Sequence, residues 1–222
     1  MIPLRDENPA RTVAFVVIAV IVANVLVFLH EASLPPRRLE VFVAHFGLLP
    51  AEIVNLPSTA AVRSVFTSMF LHGGWMHLIG NMLFLWIFGN NIEDSVGHFR
   101  FVIFYLLAGI GAAAAQVAIN PDSAIPMIGA SGAISGVLGA YLMLFPRARV
   151  LVLLPIFVFY RLLYVPAWLM LIFWFGLQLL SGAMSLGADV KGGVAFWAHI
   201  GGFVAGVVLI VPFKRRGVRL FQ

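Results

Sequence analysis

The sequence predicts an all-α membrane protein: one bundle of six transmembrane helices with both termini in the cytoplasm. Three observations predict it. Of 222 residues, 62% are hydrophobic and 10% are charged, and mean hydropathy is +1.02. Soluble domains carry about 25% charge, and one of this length could not bury so much apolar surface. Six apolar runs approach or exceed the roughly 20 residues that a spanning helix needs. The basic residues between those runs segregate by side, as topology in a membrane requires.

The runs come in order. The first covers about Thr12 to Leu29. It follows a leader containing Asp6 and Glu7 with no small-residue cleavage site, so it reads as a retained helix and not a signal peptide. The second covers about Trp75 to Phe88, the third Phe101 to Ile119 and the fourth Ser131 to Phe145. The fifth covers Pro166 to Leu186 and the sixth Val194 to Phe213. With the N-terminus inside, the outer side holds only Arg37, Arg38, Arg63 and Lys191 of the 14 Lys and Arg residues. An even number of spans then leaves both termini cytoplasmic.

Two connections stand out. Residues 31–74 form a long loop that mixes Pro35, Pro36, Pro50 and Pro57 with Val41, Phe42, Val43, Phe46, Leu48 and Leu49. Those apolar residues call for burial, so a structured outer loop lying partly in the interface is expected. Val150 to Tyr164 is also apolar but is interrupted by Pro155 and Arg161, which suggests a re-entrant or interfacial segment, with a seventh span as the alternative. No internal repeat is present, so residues 1–222 read as a single membrane domain. There is no cysteine, which excludes disulfide and thiolate chemistry. The net charge of +5 and pI near 10.2 reflect membrane topology, and no nucleic-acid partner is expected.

Polar groups inside an apolar bundle are costly and call for a partner or a purpose. The fourth run opens with Gly129-Ala130-Ser131-Gly132. From Ser131 to Phe145 a helix rises roughly 22 Å, short of a hydrocarbon core about 30 Å thick. Anchored at Arg147 and Arg149, it leaves Ser131 below the outer surface. The chain before it must descend into the protein, which irregular backbone does only where it is buried in protein or lines a wet cavity. Gly129 permits unusual backbone angles there. The Ser131 amide, at a helix N-terminus, can face an oxyanion.

His199 lies in the sixth run with no carboxylate in its helix, and a neutral imidazole can take a hydroxyl proton and return it to a leaving amine. Gly132 and Gly136, like Gly202 and Gly206, form small faces that let two helices approach closely. Those faces would bring Ser131 to His199. His77 and Asn81, at i and i+4, share one helix face and can donate to developing negative charge. A metal held by His72, His77 and His199 is the rival reading, but the acidic partner of an H-E-x-x-H site is missing, and no metal or cofactor is expected.

These motifs resemble the rhomboid intramembrane serine proteases. The likeness rests on Gly129-Ala130-Ser131-Gly132, on Ala198-His199-Ile200-Gly201-Gly202, and on His77-x-x-x-Asn81 preceded by His72, in the family's order and spacing. It implies a six-helix core with a Ser131–His199 dyad and no third acid, and an oxyanion stabilised by His77, Asn81 and the Ser131 amide. Gly129, Gly132, His72 and Gly202 support that site. The implied substrates are single-span membrane proteins cut in or near their membrane segment, with the fifth helix resembling the family's lateral gate. Glu93 resembles a cytoplasmic structural glutamate.

Two departures are visible. Ser135 stands where some members carry an aromatic that stacks on the histidine, so Trp197 or the glycine faces would have to place the imidazole. Val62-Arg63 replaces the Trp-Arg pair common in the first loop. His30, His45 and His98 have no partner pattern, and Trp75, Trp168 and Trp174 read as membrane-boundary anchors. The rival functions are an inactive relative that binds or escorts membrane proteins, and a small transporter. With no organelle-targeting presequence visible, a bacterial inner membrane is the expected location; the sequence makes no statement on oligomeric state.

Overall fold

The computed structural model describes residues 1–156, 159–186 and 194–222. Lys191, assigned above to the outer side, lies outside these residues. The chain begins with strand β1 (Ile2–Asp6) and helix α1 (Phe15–Ser33). The loop region follows with α2 (Pro36–Phe46), α3 (Pro50–Asn55), α4 (Thr59–Thr67) and a 3-10 turn at Ser68–Phe70. Then come α5 (Trp75–Val96), α6 (His98–Ile119), α7 (Ser131–Leu144), strands β2 (Arg149–Ile156) and β3 (Phe159–Pro166), α8 (Ala167–Ser185) and α9 (Phe196–Phe213).

The fold is mostly helical. By length and composition α1, α6, α8 and α9 are apolar enough to cross a membrane. Helix α5 is long but carries Asn81, Asn90, Asn91, Glu93 and Asp94, and α7 has only 14 residues. The core gathers around α7, whose Val137, Leu138, Tyr141 and Leu144 are almost wholly buried. Helices α1 and α8 each pack one side onto it, through Val17 and Phe28 and through Ala167, Met170 and Leu171, and expose much of their remaining apolar surface.

The all-α expectation needs correction. Over its described residues the segment Val150 to Tyr164, expected as re-entrant or interfacial with a seventh span as the alternative, forms no spanning helix: β2 and β3 pair as an antiparallel hairpin from Arg149↔Pro166 to Ile156↔Phe159. β1 adds a third strand to β2, from Ile2↔Leu153 to Asp6↔Val150. Pro155 is tolerated in the central strand because the β1 ladder ends at Leu153. A short apolar run rich in Val, Leu and Tyr suits a strand as well as a membrane segment, and periodicity alone does not separate them.

The sheet fixes the chain's direction. Tyr141 Oη, at the lower end of α7, donates to Asp6 Oδ2 at 2.6 Å. At the same end the C-terminal amides of Phe221 and Gln222 donate to Met143 O and Leu144 O, each at 2.8 Å. Both termini therefore lie at one end of the bundle.

Glu93 holds this end together. Helix α1 has no acidic residue in its first turn and no side-chain cap of its own. The buried Glu93 carboxylate accepts from Val16 N at 3.0 Å and Val17 N at 2.8 Å, and also meets His98 Nδ1. A negative charge at a helix N-terminus satisfies free amides and favours the helix dipole. His98 thus has a partner after all. Glu93→Gln keeps one acceptor but loses the charge, and is expected to cost about 1–3 kcal/mol. Thermal unfolding in detergent would read this as a lowered midpoint, and an unchanged midpoint would exclude the capping role.

At the opposite end the loop is structured, as its composition suggests. α2 buries no residue, and Val41 is 66% exposed, so this part of the expected burial does not occur within the protein. Leu48 and Pro50 are buried. The missing Trp-Arg pair has a substitute. Arg63 donates to His45 Nε2 at 2.8 Å and lies over the Phe46 ring, while Thr67 Oγ1 donates to Phe46 O at 2.7 Å. These contacts tie α2 to α4. His45, without an evident partner in sequence, is half of that anchor.

Candidate active site

The site forms where the loop end meets α5, α7 and α9. Residues 120–130 descend as irregular chain before α7, and protein partners meet several of their backbone groups. Leu48 and Met127 exchange both backbone hydrogen bonds, at 3.0 and 2.8 Å, and Gly129 N donates to Ser68 O at 2.8 Å. Gly129 adopts φ +122°, which L side chains rarely reach. An added Cβ there would also meet His77 Nε2 at 2.8 Å.

Ser131 is the first residue of α7, so its amide has no intrahelical acceptor. Its Oγ lies 2.8 Å from His199 Nε2. The two residues are 68 positions apart, and the glycine faces bring them together. A Cβ on Gly202 would lie 2.0 Å from Gly132 O, and one on Gly206 would lie 1.9 Å from Gly136 O. Backbone touches backbone along α7 and α9. On the other side Gly201 packs against α6, where a Cβ would meet Ala115 Cβ at 2.2 Å.

His77 and Asn81 project from α5 into the same cavity as Ser131 and His199, with a volume of about 720 Å³. Gly73 N donates to His77 Nδ1 at 3.3 Å. That bond leaves the proton on Nε2, the edge beside Gly129 and the serine. Asn81 is 7% exposed and its Nδ2 has no acceptor among the described residues, which leaves it to donate into the cavity. His72 stands apart. Its ring packs edge-on to His77 with centroids 5.0 Å apart, and it does not line the cavity. Burial, then the neighbouring His77, hold its imidazole down to about 4. Its backbone amide donates to Glu31 Oε2 at 3.1 Å, which ties this turn to α1.

The imidazole is held differently from the expectation. Ser135 turns its hydroxyl back to Ser131 O at 2.6 Å and leaves the ring alone. Trp197 does not stack on it. Instead Trp174 of α8 lies 6.0 Å from the His199 ring, tilted by 34°. One turn further on, Gln178 Oε1 accepts from His199 Nδ1 at 2.7 Å. Trp174 is therefore a site residue and not a boundary anchor. Gln178 was missed, although a signal existed: it is the one amide in the apolar run from Ala167 to Ser185.

The comparisons with known proteins bear on this arrangement. Residues 59–216 match the Rhomboid domain family. That stretch is more than half of the chain and contains every residue of the cavity just described. The chain belongs to the rhomboid family. Among its relatives, Rhomboid protease GluP of Bacillus subtilis is 34% identical over 138 residues, 62% of this chain and 25% of the relative. RHOMBOID-like protein 1 of Arabidopsis thaliana is 32% identical over 70% of this chain and 35% of the relative. The mitochondrial Presenilin-associated rhomboid-like protein of Mus musculus is 32% identical over 64% and 37%. The matches thus cover between a quarter and about two fifths of these relatives' own lengths. This rhomboid is a multi-pass integral membrane protein, as its apolar helices and its family require.

Gly129→Ala offers a local test. The methyl group would strain the turn and press on His77, so the site should lose reactivity about 10-fold or more. Labelling of Ser131 by a fluorophosphonate probe would report it, and wild-type labelling would show that the turn is not critical.

Proposed function

We propose that this rhomboid is an intramembrane serine endopeptidase that cleaves single-span membrane proteins in or near their membrane segment. The observation that carries this reading is the 2.8 Å contact between Ser131 Oγ and His199 Nε2 on a cavity inside an apolar bundle. His199 Nε2 takes the proton as Ser131 Oγ attacks the scissile carbonyl. The tetrahedral oxyanion is stabilised by His77 Nε2–H, the Asn81 amide and the Ser131 backbone N–H. As the intermediate collapses, His199 passes its proton to the leaving amine. Water then hydrolyses the acyl-enzyme with His199 as base. The reaction asks for no metal or organic cofactor.

In this reading α1, α5, α6, the short α7, α8 and α9 all cross the bilayer. The end that carries the sheet and both termini faces the cytoplasm, because most of the Lys and Arg lie there. At 14 residues α7 rises about 21 Å, so Ser131 sits within the bilayer thickness. We assign the protein to a bacterial inner membrane; its relatives include chloroplastic and mitochondrial as well as bacterial proteins. An inactive escort protein would have no use for a serine and an imidazole held in contact, which favours the enzyme.

The test is a panel of single-span substrates incubated with purified protein in proteoliposomes, with cut sites mapped by mass spectrometry. Ser131-dependent cuts near a membrane segment are expected. A panel left intact, together with no fluorophosphonate labelling of Ser131, would sink the proposal.

A further inference from the structure

We infer that Gln178 is a positioning residue for His199, and that it makes the reactivity of Ser131 depend on where α8 lies. This rests on the protease reading above.

The geometry is specific. His199 uses both ring nitrogens: Nε2 meets Ser131 Oγ at 2.8 Å and Nδ1 meets Gln178 Oε1 at 2.7 Å. An amide oxygen has no proton to give, so Nδ1 must carry one. Nε2 then holds the lone pair that the serine hydroxyl needs. In the opposite tautomer Nε2–H would point at Oγ and could accept nothing. Gln178 therefore selects the reactive form of the imidazole. It also keeps an acceptor on Nδ1 when His199 becomes imidazolium, and as a neutral amide it places no charge in the apolar bundle.

The orienting group and the base sit on different helices. Trp174 and Gln178 occupy one face of α8, a turn apart, and His199 and Phe203 occupy one face of α9. Trp174 lies against both His199 and Phe203, and Phe175 stacks on Phe203 with centroids 4.5 Å apart. Helix α8 also buries Ala167, Met170 and Leu171 at its sheet end and Gly182, against Phe196, Trp197 and Ile200 of α9, in its outer half, which otherwise exposes Leu177, Leu179, Leu180 and Met184. Displacing that outer half from α9 breaks the Gln178 contact and leaves the Ser131–His199 pair without its orienting partner. With Ser135 in place of a stacking aromatic on α7, no contact from α7 replaces it.

The experiment is the rate of fluorophosphonate labelling of Ser131 as a function of pH, with purified full-length protein in detergent. Wild type, Gln178→Leu and Gln178→Glu are compared. The titratable side chains lining the cavity among the described residues are His77 and His199, so both are present unchanged in every variant. Gln178→Leu should label about 10-fold more slowly, the loss expected when one oriented hydrogen bond disappears. Gln178→Glu should keep much of the rate but move the acidic limb of the profile to higher pH. A carboxylate at Nδ1 favours the imidazolium, which cannot act as base. Thermal unfolding identifies a variant that fails to fold, and the other then decides alone: Gln178→Glu by the position of its limb, Gln178→Leu by its rate, a wild-type rate overturning the inference. A Gln178→Glu limb coincident with wild type overturns the inference. If wild type does not label, or if labelling survives Ser131→Ala, the protease reading itself fails. Ser131-dependent labelling with wild-type profiles in both variants refutes only the role of Gln178.

Discussion

Ser131→Ala is expected to abolish both fluorophosphonate labelling and substrate cleavage while leaving the fold intact. The chemistry needs an oxygen nucleophile at this position, and alanine supplies none. In serine proteases of other folds, loss of the nucleophile costs about 10⁶ in kcat, so residual cleavage here should be undetectable. The fold should survive because the hydroxyl has one partner among the described residues, His199 Nε2. The other contact in the turn, from Ser135 Oγ, goes to the Ser131 backbone carbonyl, which alanine retains. The measurement pairs gel-based labelling and cleavage with thermal unfolding in detergent. Cleavage above a few per cent of wild type, in a variant that unfolds normally, would remove Ser131 from the mechanism.

Gly206→Ala should be the most damaging conservative change in the bundle. Its new Cβ would lie 1.9 Å from Gly136 O and 2.5 Å from Gly136 C. These are backbone atoms of a packed helix, so no rotamer change relieves the clash. α7 and α9 must separate, and the separation propagates to the dyad because Ser131 and His199 lie on the same two helices. Overpacking of this kind costs about 1–3 kcal/mol. A shift of about 1 Å at the reacting groups lowers the rate by roughly 10²-fold. Gly176→Ala is the matched control, since a Cβ there meets nothing within 4 Å. Thermal unfolding and probe labelling should fall together for Gly206→Ala and stay near wild type for Gly176→Ala. Wild-type values for both would mean that the helices are less tightly apposed than the backbone contacts state.

Much of this protein is legible along the chain. Hydropathy identifies lipid as the solvent, because that property accumulates residue by residue. Ser131, His199, His77 and Asn81 stand out because polar groups are scarce in apolar helices. The glycine spacings of 132/136 and 202/206 imply a close approach of two helices, since a bare helix face has that consequence wherever it occurs.

Other features were decided by what packs opposite. Residues 150–164 are apolar enough for a membrane segment, but the described ones form strands that pair with each other, and β1, from the far end of the chain, adds a third strand. Arg63 anchors the loop only because α2 presents His45 and Phe46 to it. Glu93 caps a helix about 76 residues upstream, and nothing in its own neighbourhood names that target. Gln178 is the sharpest case. Its presence in an apolar helix is visible in the sequence, but an amide can donate or accept, and it can face lipid or protein. Its role follows from the tertiary fold alone, which sets its oxygen against His199 Nδ1 across the junction of α8 and α9.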